Sequence, residues 1–377
     1  MPPEINWDAE LVRLIETTSR SLSRLDGRGQ GLENPYILIR PLLRREAVAS
    51  NRIEGTTATL GDVLRFEAGD GIPSQDADVQ EILNYLNALE LGLQRHPERP
   101  LTWGFLNELH RLLLGGVRGS ERRPGQPRHL QVVIGASTVG TPVERLEQRH
   151  FIPPPPTSLP GLLQDFERWL VSDDGNPSLI RLALMHYHFE TMHPYEDGNG
   201  RLGRLLITLF MREWNVMEQP LLYLSEYFER HKPEYLNHLL AVSQQGAWRQ
   251  WIVFFLTAVN EQAADAYTVV TKLLDLREGW RQRYQTGRTP AHLLPTIDRL
   301  FAHPITSAPK LAADLALRIE QVQRVIDRLQ RDNILTEITG QKRNRLYAAT
   351  QIMELLTNPH SNQPGHRTPP WTEIRAE

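Results

Sequence analysis

The chain has 377 residues, of which 23% are charged, and its formal net charge is −3. A chain of this length buries a sizeable core and is expected to hold two or three structural units. The nearly balanced charge gives no overall indication of nucleic-acid or membrane-surface binding, and the lack of cysteine excludes a disulfide framework and thiolate chemistry.

The hydropathy of the sequence predicts the cellular compartment of the protein. The first residues carry neither a charged n-region nor an apolar h-region, so we expect no secretion signal. No stretch of the sequence approaches the roughly 18 apolar residues that a membrane-spanning helix needs. We therefore expect a soluble, cytoplasmic protein that does not bind a membrane.

The N-terminal hundred residues follow helical periodicity. Apolar residues at helical spacing predict a first helix over residues 7–25, and a Gly-rich polar stretch over residues 28–34 predicts a loop. A second helix is expected over about residues 35–55, with Gly55 as its stop signal. We assign residues 1–100 to an N-terminal helical region.

The end of the second helix carries a polar pair. Ser50 and Glu54 are four residues apart and therefore lie on the same helix face. Taken alone, Glu54 is a glutamate that ends a surface helix, as most such glutamates are. A regulatory role would require a partner elsewhere in the chain.

Helices are also predicted over residues 79–96 and 102–114, and a β-rich run follows them. Glycine and proline bound this run, which predicts a short hairpin over residues 127–141. Four residues are central to it: Val132, Val133, Ile134 and Gly135. Without further information this is an ordinary hairpin.

The helix expected over residues 178–192 carries two histidines that suggest a metal site. His186 and His188 are only two residues apart, so they lie on different faces of a helix. No cysteine and no second histidine at ligand spacing accompanies them. We expect structural roles for both.

The stretch over residues 189–206, F-E-T-M-H-P-Y-E-D-G-N-G-R-L-G-R-L-L, organises the chain. Its Gly198-Asn199-Gly200 turn can direct several N–H groups at one point, which makes an anion-binding nest. Apolar residues recur at helical spacing after the turn, so the nest is expected to open a helix. A helix N-terminus preceded by glycine is a favourable phosphate site.

The side chains around this turn complete the chemistry. Arg201 and Arg204 project from one side of the first helical turn and can bind further phosphate oxygens. Asp197 is a hard oxygen ligand suited to Mg²⁺, and His193 is a titratable base. The stretch therefore predicts a site for a nucleotide polyphosphate with a base directed at an incoming nucleophile.

Residues 193–204, H-P-Y-E-D-G-N-G-R-L-G-R, resemble the signature of Fic-domain proteins, H-P-F-x-(D/E)-G-N-G-R-x-x-R. Only Tyr195, where the family usually has Phe, departs from it, and the change keeps an aromatic ring that can pack under the loop. In the family pattern Glu196 faces solvent, so we leave it out of the chemistry. The resemblance covers about residues 35–250.

The resemblance implies a protein adenylyltransferase, which transfers AMP from ATP to a Ser, Thr or Tyr hydroxyl of a target protein or of the chain itself and releases pyrophosphate. In that scheme His193 takes the proton of the attacking hydroxyl, and Asp197 holds the Mg²⁺ cofactor. The residues expected to bind ATP are Gly198, Asn199, Gly200, Arg201, Leu202, Gly203 and Arg204. Some relatives use the same motif to move phosphate or phosphocholine, or to remove AMP, so the choice of donor rests on the family alone.

The resemblance also implies an inhibitory element. Residues 50–55, S-N-R-I-E-G, match the family's inhibitory pattern (S/T)-x-x-x-E-(G/N), whose specified positions here are Ser50, Glu54 and Gly55. It implies that Glu54 pairs with Arg204 and keeps this arginine from the γ-phosphate of ATP. We therefore expect the enzyme to be autoinhibited.

Two substrate contacts are implied outside the motif. In Fic proteins a β-hairpin flap precedes the motif and holds the target peptide by main-chain pairing, and the hairpin over residues 127–141 is the candidate. An aromatic residue after the motif lies against the adenine, where this chain has Tyr235 with Leu236 beside it. A core role for Tyr235 stays open as the alternative.

The composition shifts near residue 288. A long helix over residues 251–287 connects the core to the last unit and could also pack in a homodimer. Three helices and two short β-like runs over residues 288–356, with Gly340 at the turn, resemble a winged helix-turn-helix. Residues 357–377 are polar and Pro-rich, which predicts disorder.

We thus expect a mainly α fold: a Fic/Fido helical bundle with a β-hairpin flap, its catalytic core over residues 101–250, and a small C-terminal winged helix-turn-helix. The alternative function is a DNA-binding regulator whose Fic unit senses a nucleotide. The predicted recognition helix mixes arginines with acidic residues, whereas a DNA reader usually has a clearer basic stripe. The intact His193 also disfavours a sensor, which has no need of a base.

Overall fold

The computed structural model describes residues 5–30, 36–69, 77–95, 101–135, 151–285 and 291–358. Within these residues the protein is mainly helical, and its strands form one small sheet. No helix in the described ranges combines the length and the apolar composition that crossing a membrane requires. The predicted C-terminal tail lies outside them, apart from its first two residues.

The α-helices described up to residue 213 are α1 (Ala9–Gln30), α2 (Tyr36–Ile53), α3 (Leu60–Glu67), α4 (Ala77–Gln94), α5 (Trp103–Leu113), α6 (Leu159–Val171), α7 (Ser178–Met192) and α8 (Asn199–Glu213). They are followed by α9 (Ser225–Arg230), α10 (Lys232–Gln245) and α11 (Trp248–Gln285). The C-terminal elements are α12 (Leu293–Ala302), β1 (Ile305–Ser307), α13 (Ala308–Leu315), α14 (Ile319–Arg331), β2 (Thr336–Glu337), β3 (Leu346–Ala348) and α15 (Thr350–Thr357).

The chain divides into two compact units, each assembled from separate stretches of sequence. The first unit consists of Met1–Leu22, Leu83–Glu218 and Leu224–Glu261. The second consists of Ser23–Ile82, Gln219–Tyr223 and Gln262–Glu377. The domain bounds expected from the sequence stay a prediction.

The core of the first unit is built around α7. This helix is apolar on nearly all sides, as expected of a helix that is buried all round. It packs against α8, α6 and α10, and Trp251 of α11 is fully buried and donates its indole N–H to the Ala183 carbonyl (2.9 Å). The two helices that bear the motif are therefore fixed by the apolar core of their unit.

The second unit joins α2 and α3 to the C-terminal elements. α12 packs on α2, and the sheet has the antiparallel order β1-β3-β2. Arg44 of α2 donates two hydrogen bonds from its Nε and Nη2 atoms to the carboxylate of Glu67, the last residue of α3. Burial alone would raise the pKa of Glu67, but His303 and Arg44 outweigh it and lower the pKa to about 2.

Several expected bounds need correction. The first helix runs on to Gln30, through residues predicted to be a loop. Apolar residues over residues 221–228 predict a further helix, but this helix begins only at Ser225, because residues 221–224 form a buried apolar segment without helical hydrogen bonds. A short apolar run carries no periodicity that distinguishes a helix from an extended segment.

Candidate active site

The motif begins where α7 ends. His193 is the residue after α7 and adopts a left-handed conformation (φ 47°, ψ 61°), which turns the chain sharply out of the helix. Its backbone N–H still bonds to the Phe189 carbonyl (3.0 Å), and its Nδ1 lies 3.3 Å from the Glu190 carbonyl oxygen. The side chain is half-buried at the start of the loop that leads to α8.

The loop between α7 and α8 is closed by Asn199. The side-chain oxygen of Asn199 accepts the N–H of Tyr195 (2.9 Å), and its amide nitrogen donates to the Tyr195 carbonyl (2.9 Å). The Tyr195 ring is fully buried, and its hydroxyl donates to Oδ1 of Asn107 (2.8 Å). Tyrosine in place of phenylalanine thus keeps the buried ring and gives its extra hydroxyl a partner.

A buried histidine of α5 supports the loop from below. The ring of His110 stacks on that of Tyr195 with 3.8 Å between centroids and 9° between planes. Its Nδ1 accepts the N–H of Gly125 (2.8 Å), so the proton is assigned to Nε2, which donates to the Asp197 carbonyl (2.8 Å). Burial lowers the pKa of His110 to about 4, which keeps the ring neutral near pH 7.

The helix after the loop opens at a glycine. Gly198 precedes α8 in a left-handed conformation (φ 76°), and its carbonyl accepts the first helical bond, from Leu202 (3.0 Å). A Cβ at this position would lie 3.1 Å from Nε2 of His110, so both conformation and space favour glycine. The N–H groups of the first turn have no acceptors within the helix and point toward its N-terminal end.

The charged residues of the motif differ in exposure. Arg201 and Arg204 are both almost fully buried, with 2% and 3% of their surfaces exposed. Nη2 of Arg201 lies 3.5 Å from Oδ1 of Asp197, whose side chain is 40% exposed and also accepts the N–H of Gly198 (2.6 Å). Asp197 is thus the most accessible of these three charged groups, and both arginines are buried.

The structure places Tyr235 in the core. Its hydroxyl donates to Nε2 of His186 (2.8 Å), whose Nδ1 donates to the Gly203 carbonyl (3.2 Å), and its ring stacks on Phe228 with centroids 4.6 Å apart. Burial lowers the pKa of His186 to about 3, so this histidine is a neutral structural residue, as predicted. The contacts of Tyr235 favour the core alternative over the adenine contact, whereas Leu236 is exposed.

Glu196 differs from the expectation of a solvent-facing side chain. Only 10% of its side chain is exposed, and Oε1 lies 3.2 Å from Nδ1 of the exposed His129. The side chain turns inward because the segment that begins at Arg128 runs beside the loop. The backbone N–H of Arg128 donates to the Pro194 carbonyl (2.8 Å). This placement does not follow from the motif.

The predicted hairpin is only partly described. Ile134 and Phe151 form an isolated antiparallel bridge, with N–H to carbonyl distances of 2.9 and 3.3 Å. Val132, Val133 and Gly135 lie in irregular chain next to it rather than in a regular strand, because among the described residues of these segments Ile134 and Phe151 are the one pair joined by backbone-to-backbone hydrogen bonds. The end of the predicted hairpin, residues 136–141, lies outside the described residues.

The predicted inhibitory residues lie at the end of α2, in the second unit. Ser50 is fully buried, whereas Glu54 is exposed in the turn that follows Ile53. Gly55 has a positive φ of 96°, which matches its expected role as a helix stop. The pairing of Glu54 with Arg204 stays a prediction.

Sequence reasoning missed His110 and Arg128. Both are buried polar residues, with 0% and 3% exposure, and both hydrogen-bond to the backbone of the motif loop. His110 lies within the helix predicted over residues 102–114, whose pattern indicates no function, and Arg128 lies at the start of the predicted hairpin. The one signal available was a polar residue next to an otherwise apolar pattern.

Comparison with known proteins agrees with the motif. Residues 12–94 match the family model described as Fic/DOC family N-terminal, and residues 100–211 match the one described as Fic/DOC family. The protein adenylyltransferase Fic of Drosophila mojavensis is 30% identical over 277 residues, which are 70% of this chain and 50% of that protein. The Drosophila grimshawi protein of the same name is 33% identical over 226 residues, or 58% of this chain and 41% of that protein. The chain thus spans about half the length of the curated relatives it matches.

Solved structures show the same fold. A Fic family protein from Desulfovibrio desulfuricans G20 superposes with a TM-score of 0.58 at 21% identity and covers 93% of this chain and 98% of its own. Fic-1 from C. elegans superposes with a TM-score of 0.51 at 23% identity, over 71% of this chain and 75% of its own. The two family models together match just over half of the residues. The chain therefore belongs to the Fic/DOC family.

Proposed function

We propose that this protein is a protein adenylyltransferase, which transfers AMP from ATP to a Ser, Thr or Tyr hydroxyl of a target protein. One observation carries the proposal. The loop from α7 to α8 joins a histidine to a helix N-terminus opened by glycine. It does so in a chain whose curated relatives at 30% and 33% identity are named protein adenylyltransferase Fic.

His193 is the proposed base. Because the Glu190 carbonyl can only accept a hydrogen bond, we assign the proton to Nδ1 of His193 and the lone pair to Nε2. Nε2 then takes the proton of the target hydroxyl while the hydroxyl oxygen forms a bond to the α-phosphorus. The bond between the α-phosphorus and the bridging oxygen breaks, and pyrophosphate leaves with that oxygen.

The start of α8 is the proposed phosphate site. The N–H groups of Asn199, Gly200 and Arg201 belong to the first turn and are available in principle to phosphate oxygens. The two motif arginines add fixed positive charge in a buried setting, where electrostatic stabilisation of developing negative charge is strong. Leu202 and Gly203 are proposed to contribute main chain and close packing to the same site.

Asp197 is the proposed Mg²⁺ ligand. Its partly exposed carboxylate is the hard oxygen donor that Mg²⁺ prefers. Among the described residues no cluster of three or more His, Asp or Glu side chains could hold a metal by itself. This fits an ion that binds one carboxylate together with substrate phosphates, as Mg²⁺ commonly does. When bound, it would offset the negative charge of the phosphates.

Autoinhibition by Glu54 is part of the proposal. Its support is the match of Ser50, Glu54 and Gly55 to the inhibitory pattern and the position of Glu54 just beyond the end of α2. In this scheme Glu54 occupies Arg204, and ATP binds without its γ-phosphate contact. ATP would then be held in a pose that does not favour transfer.

The residues proposed for the remaining substrate contacts are fewer than those that the sequence suggests. The segment from Val132 to Gly135 stays the candidate for main-chain pairing with a target peptide, supported by the bridge at Ile134. For the adenine we retain Leu236, which is exposed, and no longer Tyr235.

The decisive experiment uses ATP labelled at the α-phosphate and, in parallel, at the γ-phosphate. Wild type, Glu54→Gly and His193→Ala are incubated with each and Mg²⁺, alone and with lysate proteins, and examined by intact mass. Transfer of the α-label with the mass of one AMP, stronger in Glu54→Gly and absent in His193→Ala, supports the proposal. Transfer of the γ-label would instead identify a phosphotransferase. No label in any form would favour another donor or the regulator function.

DNA binding is a second candidate function, and a feature of the second unit favours it. The turn between β2 and β3 exposes Lys342, Arg343 and Arg345, and residues 340–345 contain no acidic residue. The order of helices and strands from α12 to β3 is the support for a winged-helix assignment, in which α14 would enter the major groove and this turn would be the wing. Arg328 of α14, by contrast, is paired with Asp332 (2.7 Å).

A further inference from the structure

Arg128 is a buried arginine whose side chain, among the residues that the structure describes, binds only main chain. Its surface is 3% exposed, and it precedes the Ile134–Phe151 bridge in the first unit. Its guanidinium donates hydrogen bonds to four carbonyl oxygens, those of Leu130 (3.2 Å), Pro154 (2.5 Å), Met192 (3.4 Å) and His193 (2.8 Å). Its own backbone N–H donates to the Pro194 carbonyl (2.8 Å).

Burial of this guanidinium costs free energy, which indicates that the arginine has a positional role. A buried guanidinium normally faces a carboxylate, because removal of a charge from water is expensive. Within the described ranges no Asp or Glu offsets the burial of Arg128, which lowers the pKa of its guanidinium. Carbonyl dipoles therefore stabilise the charge, and only a planar group with several N–H donors can reach four of them.

The four carbonyls belong to two parts of the site. Met192 and His193 are the last residue of α7 and the left-handed residue after it, which carries the proposed base. Leu130 and Pro154 lie on the two segments that flank the Ile134–Phe151 bridge. One side chain therefore connects the backbone of the base to both segments of the proposed target-binding element.

We propose that Arg128 is a positioning residue. It holds the proposed base, His193, in a fixed position relative to the segment whose main chain would pair with the target peptide. The inference rests on the proposed function and extends it to a residue outside the motif. Arg128 acts through the His193 carbonyl and does not touch substrate. It couples the place where the target peptide would pair to the atom that would accept the target's proton.

Other hydrogen bonds join the same two segments, so the effect of Arg128 on His193 can be separated from its effect on the segments themselves. Nε2 of Gln131 donates to the Pro153 carbonyl (2.8 Å), and the Ile134–Phe151 bridge joins the same two segments. Without the Arg128 side chain the segments are still joined to each other and residue 128 keeps its backbone bond to Pro194, but the side-chain link to the His193 carbonyl is lost. The phosphate-binding turn of α8 keeps its own supports from Asn199 and His110. Loss of Arg128 should therefore impair the transfer step more than ATP binding.

The kinetic test uses the full chain with Glu54→Gly as background and compares Arg128→Lys, Arg128→Ala and the control Arg122→Ala. Arg122 is exposed in the preceding turn and pairs only at the surface with Glu121. We expect kcat to fall about 100-fold in both Arg128 variants, the cost of a small misplacement at a reacting centre, with little change in KM for ATP. Guanidinium ion at non-denaturing concentration should restore part of kcat in Arg128→Ala but not in Arg128→Lys.

Hydrogen exchange on the same proteins gives a readout that needs no transfer activity. We expect Arg128→Ala to speed exchange of the amides at residues 128–134 and at His193 and Tyr195 together, and to leave residues 202–211 unchanged. Full activity in Arg128→Lys, or a loss of kcat in Arg128→Ala that guanidinium does not restore, would overturn the assignment. If the background and Arg122→Ala show no transfer at all, the proposed function fails, and exchange alone then decides whether Arg128 links the two segments to His193.

Discussion

The side-chain amide of Asn199 hydrogen-bonds to both main-chain groups of Tyr195, with both distances at 2.9 Å. A carboxamide is suited to this because it offers one acceptor and one donor from the same planar group. The first residue of α8 thus fixes the residue four positions before it. In this structure the Asn199 side chain closes the loop, and only its main chain is left for an anion.

Replacement of Asn199 should destabilise the loop. Asn199→Asp keeps the acceptor for the Tyr195 N–H but sets a carboxylate oxygen against the Tyr195 carbonyl, and Asn199→Ala leaves both buried groups without a partner. We expect each to lower the free energy of unfolding by about 1–3 kcal/mol and to reduce transfer sharply, as measured by urea titration and labelled ATP. Asn215→Asp, at an exposed position with positive φ, is the control. Unchanged stability in both Asn199 variants would contradict the assigned role.

Removal of the proposed base should separate chemistry from binding. His193→Ala is expected to lower the transfer rate by at least about 100-fold, the usual contribution of a general base. The affinity for Mg²⁺-ATP should stay close to that of wild type, because the phosphate site lies on α8 and not on His193. Calorimetric titration with ATP and the labelling assay measure the two effects. Retained transfer would refute the assignment of the base.

Neutralisation of Glu54 should raise activity. If Glu54 occupies Arg204, then Glu54→Gln removes the charge and Glu54→Gly removes the whole side chain. We expect an increase of about tenfold or more, which corresponds to about 1.4 kcal/mol. The control is Glu320→Gln, another exposed glutamate of the second unit. If initial rates of AMP incorporation are equal in wild type and the Glu54 variants, the inhibitory hypothesis is wrong.

His110 should make stability depend on pH. Its pKa is 6.5 ordinarily and about 4 in the folded protein, because burial disfavours the charged ring. Below pH 6.5 the unfolded chain binds a proton that the folded chain does not, so stability falls as the pH drops toward 4. The full difference corresponds to about 3 kcal/mol. Burial also lowers the pKa values of His186 and His188, so these residues reduce stability further as the pH falls.

The variant His110→Gln removes this one titration. Between pH 6.5 and 4 the free energy of unfolding should fall less in the variant than in wild type, and the two decreases should differ by up to about 3 kcal/mol. This holds whatever the stability of the variant at pH 7. Urea titrations across this range measure the difference, and those between pH 7 and 8 serve as the reference in which the buried histidines are neutral in both states. Parallel curves for variant and wild type would show that His110 does not titrate as described.

The basic turn gives the DNA hypothesis a sharp test. If Lys342, Arg343 and Arg345 contact phosphates, affinity for duplex DNA should fall steeply with salt, and replacement of each residue by alanine should lower the salt slope by about one. Arg283→Ala, whose guanidinium lies 3.6 Å from Asp332, is the matched control on the same unit. Fluorescence anisotropy at several salt concentrations measures this. Binding that is absent, or insensitive to salt, removes DNA from consideration.

Local patterns in the sequence were sufficient for the helices that carry the motif. The bounds predicted for α7 agree with the structure, and α11 is a long helix as expected. Periodicity works for these segments because each is long and has a consistent apolar face. It was insufficient for β1 and α15, which the sequence analysis did not predict. β1 has only three residues, and pairing with β3 rather than its own pattern makes it a strand.

The sequence by itself determined the family, the candidate base and the helix N-terminus that would bind phosphate, because these functions reside in one continuous stretch over residues 193–204. Only the tertiary structure decided which other residues support that stretch. Tyr235 is in the core because it meets His186 across two helices, and Arg128 and His110 reach the loop from 65 and 87 positions away in the chain. Burial and hydrogen bonding between distant residues depend on packing, and no local pattern of residues encodes them.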